Sequence, residues 1–223
     1  MFIIQGGFMN NSTLTFLGKD SGFGENNNSA YVEENNNLYI IDCGFTVFSK
    51  IKEKFNFKKY NSINVIITHL HNDHAGSLSQ LILYLWFVHN LKVNVISKCI
   101  KIKEYLEITG TPSESYNLKG SLENLEFIKT THTPYLDAYG FKFKINGKNI
   151  IYTGDSNTLD PFITYMNDIN ELYIDVSKFG GAHLKIDEIY EKLNAFKNKG
   201  INIYLMHLDD KEYINKITNN EFI

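Results

Sequence analysis

Short apolar runs recur along the chain, separated by segments rich in asparagine and glycine. Leu14 to Gly18 reads as a short strand, and Gly22 to Asn28 as a loop. Ala30 to Glu33 and Leu38 to Asp42 read as strands joined through Asn35-Asn36-Asn37. Phe48, Ile51 and Phe55 repeat at helical spacing with lysines between them, which predicts a short amphipathic helix. Ile63 to Ile67 is a short run dominated by β-branched residues and interrupted only by Asn64, which reads as a buried strand. Leu78 to Leu91 reads as a mostly apolar helix lying on a sheet, with Trp86 and its aromatic neighbours assigned to the core.

Val93 to Ile96 predicts a strand and Ile100 to Glu107 a short helix, followed by a loop from Gly110 to Ser121. Leu125 to Thr131 and Tyr139 to Ile145 are strand-like. Asn146-Gly147 is a strong hairpin signal and should lead into Asn149 to Tyr152. A loop from Asn157 to Asp168 precedes a strand from Leu172 to Asp175. A helix from Lys185 to Lys197 and a strand from Ile201 to Met206 follow. Strands and helices mixed in this way predict a layered α/β fold.

The length of 223 residues changes the picture only by allowing a sizeable core, burying roughly 70–75% of the unfolded surface. No repeat and no long linker breaks the chain, so residues 1–223 are expected to form a single domain, with 1–10 as a short tail. The start from Met1 to Met9 lacks the basic region and cleavage site of a signal peptide, and Met9 could itself be the initiator. No apolar stretch approaches the ~20 residues of a membrane helix, so the expectation is a cytoplasmic protein with no membrane partner. Two cysteines, Cys43 and Cys99, form no paired motif, which suits a reducing compartment. Cys43 is read as a small buried hydrophobe.

A net charge of −3 argues against a broad nucleic-acid footprint. The chain also lacks arginine, so a phosphate must be held by metal, lysine or backbone N–H. Lys92, Lys98, Lys101 and Lys103 cluster, but Glu104 and Glu107 follow them, and the cluster reads as a solvated face.

The segment Thr68-His69-Leu70-His71-Asn72-Asp73-His74-Ala75-Gly76 carries the densest chemistry. Imidazole and carboxylate are preferred ligands of zinc, iron and manganese. Alternation along an extended segment would put His69, His71 and Asp73 on one side and His74 on the other, which suits two adjacent metal ions. Further candidates follow in order: His132 in Thr130-Thr131-His132-Thr133, Asp155 in Thr153-Gly154-Asp155-Ser156, and His207 at the end of Leu205-Met206-His207. Upstream lies Asp42-Cys43-Gly44.

This series resembles the signature of the metallo-β-lactamase-fold hydrolases, in particular the phosphodiesterase and tRNase Z-like branch. The resemblance implies a four-layer αβ/βα sandwich and two divalent metal ions, with zinc first and manganese or iron as alternatives. It assigns His69, His71 and His132 to one ion, Asp73, His74 and His207 to the other, and Asp155 to both. Family members with diiron redox chemistry carry glutamate where this chain has His71, so hydrolysis is favoured over electron transfer. The implied reaction is cleavage of a small phosphodiester by a metal-bridging hydroxide, with Asp73 orienting the water.

His183, in Gly180-Gly181-Ala182-His183-Leu184-Lys185, resembles the histidine that assists the leaving group in the phosphodiesterase branch. Lys185 could meet an anionic substrate or be a solvated helix-start residue. Tyr139-Gly140-Phe141 is also similar to that branch, although packing could select the same residues. His89 has no motif around it and is read as structural.

The tRNA-processing members insert a basic arm between the third histidine and the bridging aspartate. Here only the segment from Thr133 to Gly154 fits there, so tRNA is a poor candidate. A small anionic phosphodiester, such as a cyclic nucleotide or a phosphonate-pathway ester, fits better. The alternatives are a thioester or lactam hydrolase, a metal-dependent binding or sensor protein that does not turn over its ligand, and an iron-dependent redox enzyme. A homodimer is one assembly this reading allows.

Overall fold

In the computed structural model, which describes residues 12–222, the apolar runs become the strands of two facing sheets. The expected tail and the apolar start from Met1 to Met9 fall outside the described residues. One sheet takes β1 (Thr15–Gly18), β2 (Ser29–Glu34), β3 (Asn37–Ile41), β4 (Ser62–Ile67), β5 (Val93–Ser97) and β6 (Tyr116–Lys119), bonded in that order. The first pairings are antiparallel, and those from β3 to β6 are parallel. The other sheet runs from β7 (Leu125–Lys129) through β8 (Tyr139–Ile145), β9 (Lys148–Tyr152) and β10 (Glu171–Asp175) to β11 (Asn202–Met206). Here β7, β8 and β9 are antiparallel, whereas β9, β10 and β11 are parallel.

The helices are α1 (Val47–Lys54), α2 (Asn72–Ala75), α3 (Leu78–His89), α4 (Ile102–Ile108), α5 (Ile186–Asn198) and α6 (Lys211–Ile217). Strand side chains alternate between faces, and that alternation builds the layers. Ile63, Val65 and Ile67 of β4 pack outward with Ile51 of α1 and Leu78, Leu81 and Leu85 of α3. Ile66 points the other way, into a layer shared with Phe141, Phe143, Tyr152 and Tyr173 of the second sheet. On the far side Ile151, Leu172, Ile174 and Leu205 pack with Ile186, Leu193 and Phe196 of α5 and Ile214 of α6. The result is helix, sheet, sheet, helix, the expected four-layer αβ/βα sandwich.

Both short hairpins turn through left-handed asparagines, Asn35 and Asn36 at φ 50° and 60°, and Asn146-Gly147 at 48° and 74°. Successive positive φ values fit the two-residue turn that follows strand twist.

Three readings need correction. The segment from Gly110 to Ser121 is not all loop, because residues 116–119 form β6, a short and mostly exposed strand at the edge of the first sheet. The C-terminal helix α6 was not expected; its N-cap Asp210 accepts a hydrogen bond from the Tyr213 N–H at 2.9 Å. Trp86 is only half-buried, and Phe87 and Val88 are exposed. The reason is that α3 lays one face on the sheet, and a sequence apolar on every side does not reveal which face that is. His89 is structural as expected, with its ring packed against Phe57 and Tyr84.

Candidate metal centre

The parallel strands decide where the chemistry gathers. Strands β3 and β4 end together, and so do β9, β10 and β11, so the residues just past their carboxyl ends meet at one edge of the sandwich. Asp42 follows β3, His69 follows β4, Asp155 follows β9, Asp175 closes β10 and His207 follows β11. His132 lies beyond β7 on the neighbouring loop.

The extended alternation read from His69 to His74 stops at His71. Asn72 to Ala75 form the short helix α2, and Asp73 and His74 project from one helical turn. Asp73 therefore falls with His74, and not with His69 and His71 as the alternation had placed it. His69, His71, His132 and Asp155 offer ligand atoms within 4.8 Å of one another, and so do Asp73, His74, Asp155 and His207. Asp155 belongs to both. A third group joins Asp155 and His207 to Asp175 and His183.

Within the first group His69 Nε2 lies 3.1 Å from His71 Nδ1, and His132 Nε2 lies 3.2 Å from the same atom. Asp155 Oδ2 is 3.6 Å from both His69 Nε2 and His132 Nε2. In the second, Asp73 Oδ2 is 3.1 Å from His207 Nε2 and from His74 Nε2. His74 Nε2 and Asp155 Oδ1 stand 3.4 Å apart, yet neither makes a hydrogen bond, although both are buried. Buried polar atoms left this way cost free energy unless something pairs with them.

These separations fit a metal. Ligands at about 2.0–2.1 Å from one tetrahedral ion stand roughly 3.3 Å from each other. The donor set, all imidazole nitrogen and carboxylate oxygen, suits a divalent cation of the zinc, manganese or iron type.

The electrostatics point the same way. Burial works against charge on His74 and His207, but Asp155 and, respectively, Asp42 and Asp175 outweigh it. The His74 imidazole is raised well above its ordinary range, and that of His207 to about 10. His69 moves the opposite way, pushed down by burial and by the charge on His74. Buried carboxylates thus demand positive charge in the second group, the demand a divalent ion would meet.

Beyond the ligand candidates, several groups fix the imidazoles. Asp42, fully buried, accepts from His74 Nδ1 at 2.8 Å and from the Thr68 N–H at 2.9 Å. His132 Nδ1 donates to the Ala182 carbonyl at 2.9 Å. Such outer partners set ring orientation and ligand basicity. Asp42 and His207 both hold left-handed backbones, φ 59° and 58°, each costing about 1–3 kcal/mol where no glycine relieves it.

His183 sits at the rim. Its Nδ1 lies 2.8 Å from Asp175 Oδ2, and its ring stacks on that of His207 with centroids 4.8 Å apart. Asp175 is the residue the sequence reading missed. Its carboxylate also accepts from the Ser156 N–H at 3.1 Å and stands 3.4 Å from His207 Nδ1. The signal for it was present, an acidic residue closing the apolar run Leu172-Tyr173-Ile174, as Asp42 closes Ile40-Ile41.

The remaining candidates stay out of the group. Cys43 is buried beside Ser77, and burial pushes its thiol up to about 12. Cys99 is also buried, with its thiol raised to about 11. Lys185 stands 3.9 Å from Glu188 and lines a cavity of about 610 Å³ that opens beside His183. A second cavity of about 700 Å³ opens on the His132 side. No helix among the described residues is long and apolar enough to cross a membrane.

Comparison with known proteins agrees with this fold. A family model described as anti-Pycsar protein Apyc1 matches residues 12–106. Over 231 residues the chain is 25% identical to the anti-Pycsar protein Apyc1 of Bacillus phage 010DV004, covering 88% of this chain and 89% of that protein. The protein of the same name from Bacillus phage vB_BsuM-Goe3 is 23% identical over 244 residues, covering 93% and 94%. Among solved structures, the metallo-β-lactamase fold protein YhfI from Bacillus subtilis superposes with a TM-score of 0.75 at 18% identity, covering 94% of this chain and 92% of its own. A diphosphatase of the PhnP family gives 0.69 at 16% identity, covering 94% and 91%. The short form of human tRNase Z gives 0.66 at 14%, covering 89% and 93%. The arrangement of strands and helices in this chain is that of a metallo-β-lactamase-fold protein.

Proposed function

We propose that this chain is a metal-dependent hydrolase that opens a small phosphodiester, and that its substrate is a cyclic nucleotide. The observation that carries the reading is the pair of His/Asp clusters joined through Asp155, with the Asp175–His183 pair at their rim. The likeness to relatives named anti-Pycsar protein Apyc1 supports a cyclic nucleotide, and the PhnP-family diphosphatase supports phosphorus chemistry.

His69, His71, His132 and Asp155 would hold one divalent ion, and Asp73, His74, Asp155 and His207 a second. Bound there, the ions supply Lewis-acid stabilisation of the phosphoryl charge and lower the pKa of water toward ~7. The chain's own residues do the rest. Asp73, only partly buried, orients the attacking water. Asp42 and Asp175 keep the imidazoles of His74 and His183 in one tautomer and one orientation by accepting from their Nδ1 atoms.

The reaction forms a bond from the water oxygen to phosphorus and breaks one ester P–O bond. The leaving oxygen takes a proton from His183, and the proton released by water returns through solvent to that imidazole. With both ester oxygens on one sugar, the product is a linear nucleoside monophosphate. A chain without arginine must balance the product's added charge with the metal ions and lysines.

Incubation of the metal-loaded protein with 3′,5′-cyclic AMP, GMP, CMP and UMP, resolved by ion-exchange chromatography, tests the reading. At least one should convert to its linear monophosphate at a rate that disappears in His71→Ala. Conversion of none, with two metals bound, would refute it.

A further inference from the structure

If the chain opens a cyclic nucleotide, the reading on which this inference rests, the geometry points to Phe179 as the platform on which the nucleobase stacks, inside the cavity beside His183. Two cavities flank the metal centre, one containing His183 and the other His132, and Asn157 lines both. Chemistry chooses between them. In a cyclic diester both ester oxygens belong to one ribose, so the sugar lies on the side to which the leaving oxygen departs. The nucleophile enters from the opposite side, in line. His183, as partner of the leaving oxygen, therefore puts the nucleoside in its own cavity.

That cavity is built to take a planar, partly polar group. Its volume of about 610 Å³ falls within the ~300–1,000 Å³ common for small-ligand sites. Leu159 and Ile189 give it apolar wall, and Lys185 and Lys192 stand there with the carboxylates of Asp160 and Glu188, so the lining is polar without a net charge. Phe179 stands at the wall with 74% of its surface exposed; other rings of the chain, Phe23 and Phe87 among them, are exposed too, but Phe179 is the phenyl ring that lines this cavity.

The backbone that carries Phe179 is held in place. The Phe179 and Gly180 N–H groups both donate to Ser177 Oγ, at 2.9 and 3.0 Å, and Ser177 Oγ donates to Asp209 at 2.5 Å. Gly180 and Gly181 then turn through φ 75° and 78°, a conformation that side chains resist. Gly180 packs so closely on Lys185 that a Cβ there would meet the lysine Cβ at 3.1 Å. Lys178 Nζ lies 5.4 Å from the Phe179 ring centroid. The ring is thus presented on a fixed turn at low ordering cost. Stacking on it would be tolerant of base identity, because every base offers a π face.

The test compares KM for 3′,5′-cyclic AMP with KM for the base-free methyl riboside 3′,5′-cyclic phosphate, in the wild type and in three variants. In the wild type the base should lower KM about tenfold, and Phe179→Ala should bring that ratio close to one. Phe179→Tyr should restore it, and Tyr135→Ala, at the exposed aromatic of the other cavity, should leave the ratio as it was. A ratio unchanged in Phe179→Ala, or lost in Tyr135→Ala instead, overturns the assignment. Equal KM values in the wild type overturn the platform and leave the phosphodiesterase reading standing. Hydrolysis of neither compound by the metal-loaded wild type overturns both.

Discussion

Asp42 Oδ2 accepts a hydrogen bond from His74 Nδ1 at 2.8 Å, with both side chains fully buried and Asp42 held in a left-handed backbone. The pair aims His74 Nε2 at Asp73 and Asp155, so a residue that touches no proposed ligand site other than His74 orders the second cluster. Asp42→Asn keeps the shape but loses the charge. Metal affinity at the second cluster should fall by about 10–100-fold. Metal content after dialysis, read by mass spectrometry, should drop from two ions per chain toward one; retention of two would show that Asp42 only packs.

Asp175 plays the corresponding part at the rim, through His183 Nδ1 at 2.8 Å. On the proposed reaction, in which His183 protonates the leaving oxygen, Asp175→Asn should reduce kcat by at least tenfold with a smaller change in KM. Steady-state kinetics on one cyclic nucleotide checks this. A rise in KM at constant kcat would assign Asp175 to binding instead.

Gly44 reports on how the motif loop is seated. A Cβ at Gly44 would collide with the backbone carbonyl of Asp73, which has no flexible end that could move aside. Gly44→Ala should therefore displace α2 and cost both metal binding and turnover, while far-ultraviolet circular dichroism stays near wild type. Normal metal content in this variant would contradict the placement of α2.

Most of this site was legible in the sequence, and the reason is local. The candidate ligands sit in short motifs at the ends of apolar runs, and strand ends are where parallel sheets gather side chains. Asp175 was harder to read because it stands alone after Ile174 with no neighbouring ligand type, and only the register of β10 between β9 and β11 brings it to His183. The edge strand β6 escaped for a related reason: Asn117, Leu118 and Lys119 are all exposed, so no buried apolar face marks it. For Trp86 and Phe87, hydrophobicity alone could not give the direction of a side chain on α3.

The loop before β2 carries a pH-sensitive contact. Burial works to raise the Asp20 carboxyl, but the ion pair with Lys211 and the Asn26 N–H outweigh it and hold the group below its ordinary range. A carboxyl depressed in the folded state stabilises above its unfolded value, near ~3.9, and that stability is lost as pH falls through the lower folded value. The Tm difference between wild type and Asp20→Asn should be present at pH 7 and shrink below about pH 4. Lys211 is largely exposed, so added salt should also reduce it. A Tm difference that grows on acidification would contradict the assignment.

The central claim is that the two clusters sharing Asp155 hold metals that act in hydrolysis. Initial rates on bis(p-nitrophenyl) phosphate, measured on metal-stripped protein and again after stepwise addition of zinc or manganese, test it most directly. Turnover should be absent in the stripped protein and rise to a maximum near two equivalents, with Asp155→Ala inactive at every point. A protein that takes up two equivalents and releases no p-nitrophenol would contradict the account.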